Sequence, residues 1–137
     1  MLKLETNIEG KHAQFGVIRD QIKEAGFTLG SYWDYDKGFF DNILSKDDAE
    51  SIYLRMPFKV IDGQLDSYNA HISFETPYVI KHIVHFGLEH DGSSLADATG
   101  FSQFQTPIDK DGKIEDQVRW IKAGEEVVVN NVLPYLN

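Results

Sequence analysis

Apolar residues change their spacing several times along this chain, and the changes mark out its elements. Leu2 and Leu4, with Ile8 beyond them, alternate as a strand does, and Glu9-Gly10 closes the segment. Over residues 11–25 the period lengthens. Phe15, Ile18, Ile22 and Ala25 recur at steps of three and four, which predicts a helix, and Gly26 followed by apolar Phe27 stands where a left-handed cap belongs. Residues 31–36 and 38–44 then alternate aromatic rings with aspartates around Asp36-Lys37-Gly38, the pattern of a β-hairpin. A further strand is predicted over residues 51–61, with Ile52, Leu54 and Met56 on one side. Its Pro57 cannot donate to a ladder and predicts a bulge or an edge position. Asp62-Gly63 reads as a tight turn and residues 70–75 as the next strand.

Residues 76–88 admit two readings. Thr76 and Pro77 can open a helix that Gly87-Leu88 would close, with Ile80, Ile83 and Val84 on one face. The crowding of β-branched residues between Pro77 and Gly87 favours a strand. Residues 95–104 suggest a short irregular helix and 106–112 an exposed turn. From 114 to 132, Ile114, Val118, Ile121, Val128 and Val132 form a helical stripe with Trp120 beside it, about 28 Å long, which Pro134 stops. The whole predicts one α+β domain over residues 1–137. An antiparallel sheet of about four to six strands is packed on one face by the helix near Phe15 and by a long C-terminal helix.

Composition narrows the function classes. The chain has 137 residues, 42% of them hydrophobic, with no repeat or low-complexity window, so one buried core suffices. The net charge of −9, from 22 acidic and 13 basic residues, argues against nucleic acid, because the basic residues never cluster. No apolar run approaches the roughly 18 residues of a spanning helix, and the first residues lack the apolar core of a secretory signal, so a cytoplasmic protein is expected. Cysteine is absent, which removes disulfides, thiolate nucleophiles and Cys-ligated zinc.

Candidate chemistry is sparse. Asp109-Lys110-Asp111-Gly112 resembles part of a calcium loop, but with Gly112 at the sixth position Pro107 and Val118 fall where the first and last ligands belong. His82, His85 and Glu89 share a face only if their segment is helical; on a strand the two histidines diverge, so no metal site is expected. Asp36 and Asp62 sit where aspartates commonly bond turn amides. Arg55, in an otherwise apolar strand, is suited to a neighbouring aspartate or to an anion, the structural ion pair being favoured. No nucleophile elbow, phosphate loop or dinucleotide fingerprint occurs, and nothing points to a cofactor.

Several segments together resemble one family. They are Gly26-Phe27-Thr28-Leu29-Gly30, Trp33-Asp34-Tyr35-Asp36, Gly38-Phe39-Phe40-Asp41, Leu54-Arg55-Met56-Pro57-Phe58, Asp62-Gly63-Gln64-Leu65-Asp66, Thr76-Pro77-Tyr78, Lys81-His82 and Gly87-Leu88. In their joint order they are similar to the YugN-like family of small bacterial proteins. The resemblance spans most of residues 26–109 and is weakest over the final helix. It implies a compact cytoplasmic α+β domain and supplies no catalytic residues.

The leading expectation is a non-catalytic binding or regulatory domain. Its contact residues would be Trp33, Tyr35, Phe39 and Arg55, and its partner a small molecule or a protein, a second copy of the chain included. The alternative is a small enzyme using acid–base chemistry around Asp34, Asp36, Arg55, Asp62 or His82, which requires those groups to converge in one cleft.

Overall fold

The alternating pattern around Leu54 and Met56 becomes the centre of the sheet. The structure is a computed structural model describing residues 1–30, 36–47, 49–65, 67–83 and 113–136. Its strands are β1 (Leu2–Lys3), β2 (His12–Gln14), β3 (Thr28–Leu29), β4 (Lys37–Lys46), β5 (Glu50–Asp62), β6 (His71–Phe74) and β7 (Tyr78–Ile83). Its helices are α1 (Phe15–Lys23) and α2 (Gln117–Asn131), the latter followed by a 3-10 turn, Leu133–Tyr135. Together the seven strands make one sheet with antiparallel pairing throughout. β4 flanks one side of β5. The other side is shared end to end by β7, opposite residues 50–55, and β6, opposite residues 58–62.

That sharing corrects the expectation for Pro57, which lies in a central strand and in unbroken register with Phe39. Its carbonyl accepts from the Glu75 N–H, so its backbone polar groups face the gap between β6 and β7. A missing N–H there costs no bond to β4. The irregularities fall elsewhere, between Ile43 and Ser45 and between Val60 and Asp62.

The first helix starts later than its periodicity suggests. His12–Gln14 pair with β6 as a strand, and α1 begins at Phe15, whose N–H donates to the Ala70 carbonyl while that of Gly16 donates to Tyr68. The pairing and these two bonds satisfy backbone groups that a longer helix would have to satisfy itself. Its end is as expected. Gly26 has φ +96°, its N–H donates to Lys23, and the Phe27 N–H donates to Ile22. This is the pairing of a Schellman cap, with Ile22 and Phe27 both in the core. Asn42 of β4 completes it, donating from Nδ2 to the Ala25 carbonyl at 2.9 Å.

One face of the sheet carries the core. Phe40, Leu54, Met56, Phe58, Ile72, Phe74 and Val79 are buried in a cluster with Phe15, Ile18 and Ile22 of α1 and Val128 of α2. Phe58 is the hub of its rings, 6.0 Å from Phe15 and 5.1 Å from Phe40 between centroids, and Phe74 meets it edge-on. α2 approaches β1 and β7 closely at Gly124, where a Cβ would lie 2.9 Å from Leu4 Cδ1 and 3.0 Å from Val79 Cγ2. Its inward stripe is therefore Gly124, Val128 and Val132. Val118, expected on that stripe, is 79% exposed, since six residues from Gly124 is a rotation of about 240°. Ile114 is buried but precedes the helix. Residues 78–83 are a strand, as the β-branched run favours. The expected helix at 95–104, the turn at 106–112 and the strand at 31–36, apart from Asp36, lie outside the described residues. Among the described residues no helix is long and apolar enough to cross a membrane.

Candidate functional site

Alternation places Phe39, Asp41, Ile43, Tyr53, Arg55, Tyr78, Ile80 and His82 on the face of the sheet opposite the core cluster. Two cross-strand rows result, Asp41–Arg55–Tyr78 and Ile43–Tyr53–Ile80. Arg55 donates from Nε to Asp41 Oδ1 at 2.9 Å and from its terminal nitrogen to Oδ2 at 3.0 Å. Both side chains are largely withdrawn from water, 12% and 16% exposed. The guanidinium also lies 3.9 Å from the centroid of the Phe39 ring. The ring in turn covers Gly30, whose N–H donates to the Phe39 carbonyl, and a Cβ on Gly30 would collide with it. The expected contact residues Phe39 and Arg55 are thus brought together, but into a stack that the fold itself uses. Trp33 and Tyr35 lie outside the described residues.

The groups required by an acid–base enzyme are spread along the sheet instead of meeting. Asp36 and Asp62 are near one end of the β4–β5 pair, where Asp36 accepts the Val60 N–H through its carbonyl. His82 is opposite Ser51 at the other end, beside the Tyr53 ring. Eleven residue steps along β5 separate Ser51 from Asp62, a span of about 36 Å. Arg55 lies between them and is engaged by Asp41. Asp34 is outside the described residues, as are His85 and Glu89. Among the described residues no three His, Asp or Glu side chains are grouped as metal ligands. This dispersal does not favour the enzyme alternative.

A cleft that no sequence motif announced lies beside α1, with a volume of about 460 Å³. Three separate segments form it. The turn into β2 and that strand contribute Lys11, His12 and Gln14, α1 contributes Val17, Ile18 and Gln21, and the C-terminal turn brings Tyr135 and Leu136. The early start of β2 builds this site: pairing with β6 holds His12 and Gln14 in place, and Gln14 is further fixed by donating from Nε2 to Asn69 Oδ1 at 2.7 Å. The His71 ring stands edge-on to His12, 6.1 Å away. Apolar and polar groups share the lining, and none of the described lining residues is acidic. Such a site can seat a small molecule: the volume is within the roughly 300–1,000 Å³ of typical ligand pockets.

Among the described residues, an antiparallel sheet with the helices α1 and α2 on one face and a small mixed-polarity cleft at its margin defines a small α+β domain with no assembled catalytic constellation. The YugN-like family matches this chain over residues 3–133, and the chain belongs to that family. The resemblance carried by the motifs between Gly26 and Leu88 therefore extends through α2 as well. The uncharacterized protein YugN of Bacillus subtilis (strain 168) is 24% identical over 115 residues, 84% of this chain and 85% of the relative. The uncharacterized protein YlbA of the same organism is 29% identical over 91 residues, 66% of this chain and 75% of the relative. The crystal structure of the uncharacterized conserved protein YugN from Geobacillus kaustophilus HTA426 aligns with a TM-score of 0.57 at 25% identity, covering 94% of this chain and 98% of that one.

Proposed function

We propose that this protein is a non-catalytic, cytoplasmic binding domain whose ligand is a small molecule held in the cleft between β2, α1 and the C-terminal turn. The observation that carries the reading is the cleft itself: about 460 Å³, lined by apolar Val17 and Ile18 and by polar groups from two other segments. A net charge of −9 supports a partner other than nucleic acid. The test is thermal unfolding against a panel of metabolites, repeated with Val17→Trp and Gln21→Trp, which fill the cleft from the half-buried side of α1. A ligand at about 100 times its dissociation constant stabilises the fold by roughly 2.7 kcal/mol. Stabilisation of the parent chain that both folded variants lose supports the reading; stabilisation that both retain sinks it.

A second reading has a specific observation in its favour. Ile43 is 51% exposed beside Tyr53 on the outer face, in the neighbourhood of Phe39 and Arg55. We propose a second copy of the chain as the partner there. Light scattering tests it: a dimer that Ile43→Asp converts to a monomer is expected, and a monomeric parent chain at tens of micromolar rejects it.

A further inference from the structure

We propose that His12 of β2 and His71 of β6 hold one divalent transition-metal ion of the Zn2+ class, with Asp62 of β5 as a third ligand. The strand register carries the site. His71 has Gln14 opposite it on one side and Asp62 on the other, while His12 lies diagonally across, opposite Ser73. The two imidazoles already stand together. Their ring centroids are 6.1 Å apart with planes at 85°, and neither ring has a hydrogen-bond partner among the described residues. Two imidazoles that share one tetrahedral ion, at metal–nitrogen distances of about 2.0–2.1 Å, have centroids about 5 Å apart. Both side chains are exposed, so rotation about their own bonds closes the difference without moving the strands. Near-perpendicular planes suit the ion, which lies in the plane of each ring on a nitrogen lone pair.

Asp62 turns a histidine pair into a cation site. Neighbours in register on adjacent strands bring their Cβ atoms to about 4.5–5.5 Å, so the exposed Asp62 carboxylate is one rotamer away from the His71 ring, although the three side chains are not grouped in the structure. Two imidazoles and a carboxylate suit zinc and disfavour Mg2+ and Ca2+, which take oxygen ligands. Lys59 faces the same side of the sheet, but across Ser73 it is two strand spacings, about 10 Å, from His12. Its charge weakens the binding of a cation without blocking the site. His12 also lines the cleft, so the ion stands at the rim, with its fourth position left to water or to an oxygen or nitrogen of a bound molecule. Zinc binding by the three side chains requires no such molecule.

Calorimetric titration of the full chain with Zn2+, after chelator treatment and without a polyhistidine tag, decides the point. One Zn2+ per chain is expected to bind at micromolar concentration, with no response to Mg2+. His12→Asn and His71→Asn should each weaken binding at least about tenfold, and Asp62→Asn at least about threefold. Affinity retained in both histidine variants overturns the site, as does a parent chain that fails to bind Zn2+ below about 1 mM. Affinity that falls with the histidines and stays unchanged in Asp62→Asn removes the carboxylate from the ligand set. A measurement on the unaltered chain stands apart from any folding defect: Cu2+ should broaden the NMR signals of His12 and His71 before those of other residues. Broadening that begins elsewhere overturns the proposal.

Discussion

The two faces of the β4–β5 pair hold their side chains in place by different physics. On the inner face, Phe40 and Phe58 belong to a continuous aromatic cluster reaching Phe15 and Phe74, where each ring has several neighbours and apolar burial supplies the stabilisation. On the outer face, Gly30, Phe39, Arg55 and Asp41 make a single stack in which each layer depends on the next. The difference teaches which face tolerates change. Burial is additive and non-directional, whereas a bidentate ion pair is worth having only while both partners and their geometry survive.

The largest effect is expected from Phe58→Ala, which opens a hole between three other rings. A loss of about 3–5 kcal/mol in denaturant unfolding is predicted. A loss under about 1 kcal/mol would show that the inner face is not one packed unit. Next comes Arg55→Leu, which leaves the Asp41 carboxylate withdrawn from water without its guanidinium. About 1–3 kcal/mol should be lost, and Asp41→Leu added to it should recover part of the loss. Simple additivity of the two substitutions would erase the distinction between the faces. The smallest effect is expected from Phe39→Leu, which keeps an apolar cover over Gly30 and gives up the ring beneath Arg55. About 0.5–1 kcal/mol is predicted, read from the shift of the unfolding midpoint.

What was legible in the sequence was what depends on neighbours along the chain. Gly26 terminates α1 because a positive φ and two backbone bonds are decided within five residues, and Asp62-Gly63 turns the chain with Gly63 at φ +85°. Alternation also identified the buried side of β5. What was hidden depends on partners remote in sequence. His12–Gln14 carry no strand pattern of their own and become β2 only because β6 offers an edge. Pro57 is harmless in mid-sheet only because two strands meet opposite it. Val118 was misassigned because the sequence could not say that Gly124, with no side chain, is the point of closest approach for α2. The Phe39–Arg55 pairing was within reach of the sequence, since both residues were singled out. The cleft was not, because its walls come from segments with more than a hundred residues between the first and the last.

The end-to-end placement of β6 and β7 along β5 imposes an order in time. β4 and β5 are joined by a short turn and can zip as a local hairpin within microseconds. β1 and β2, by contrast, are made first during synthesis but pair with β7 and β6, Leu2 with Val79 and His12 with Ser73. At roughly 5–20 residues per second, the opening segment must wait several seconds for its partners to emerge from the ribosome. Closing those distant pairs carries the chain-entropy cost of large loops, so the hairpin is the natural template and the N-terminal strands the last to seat. The cleft, which needs β2 in position, is then among the final features of the domain to be completed.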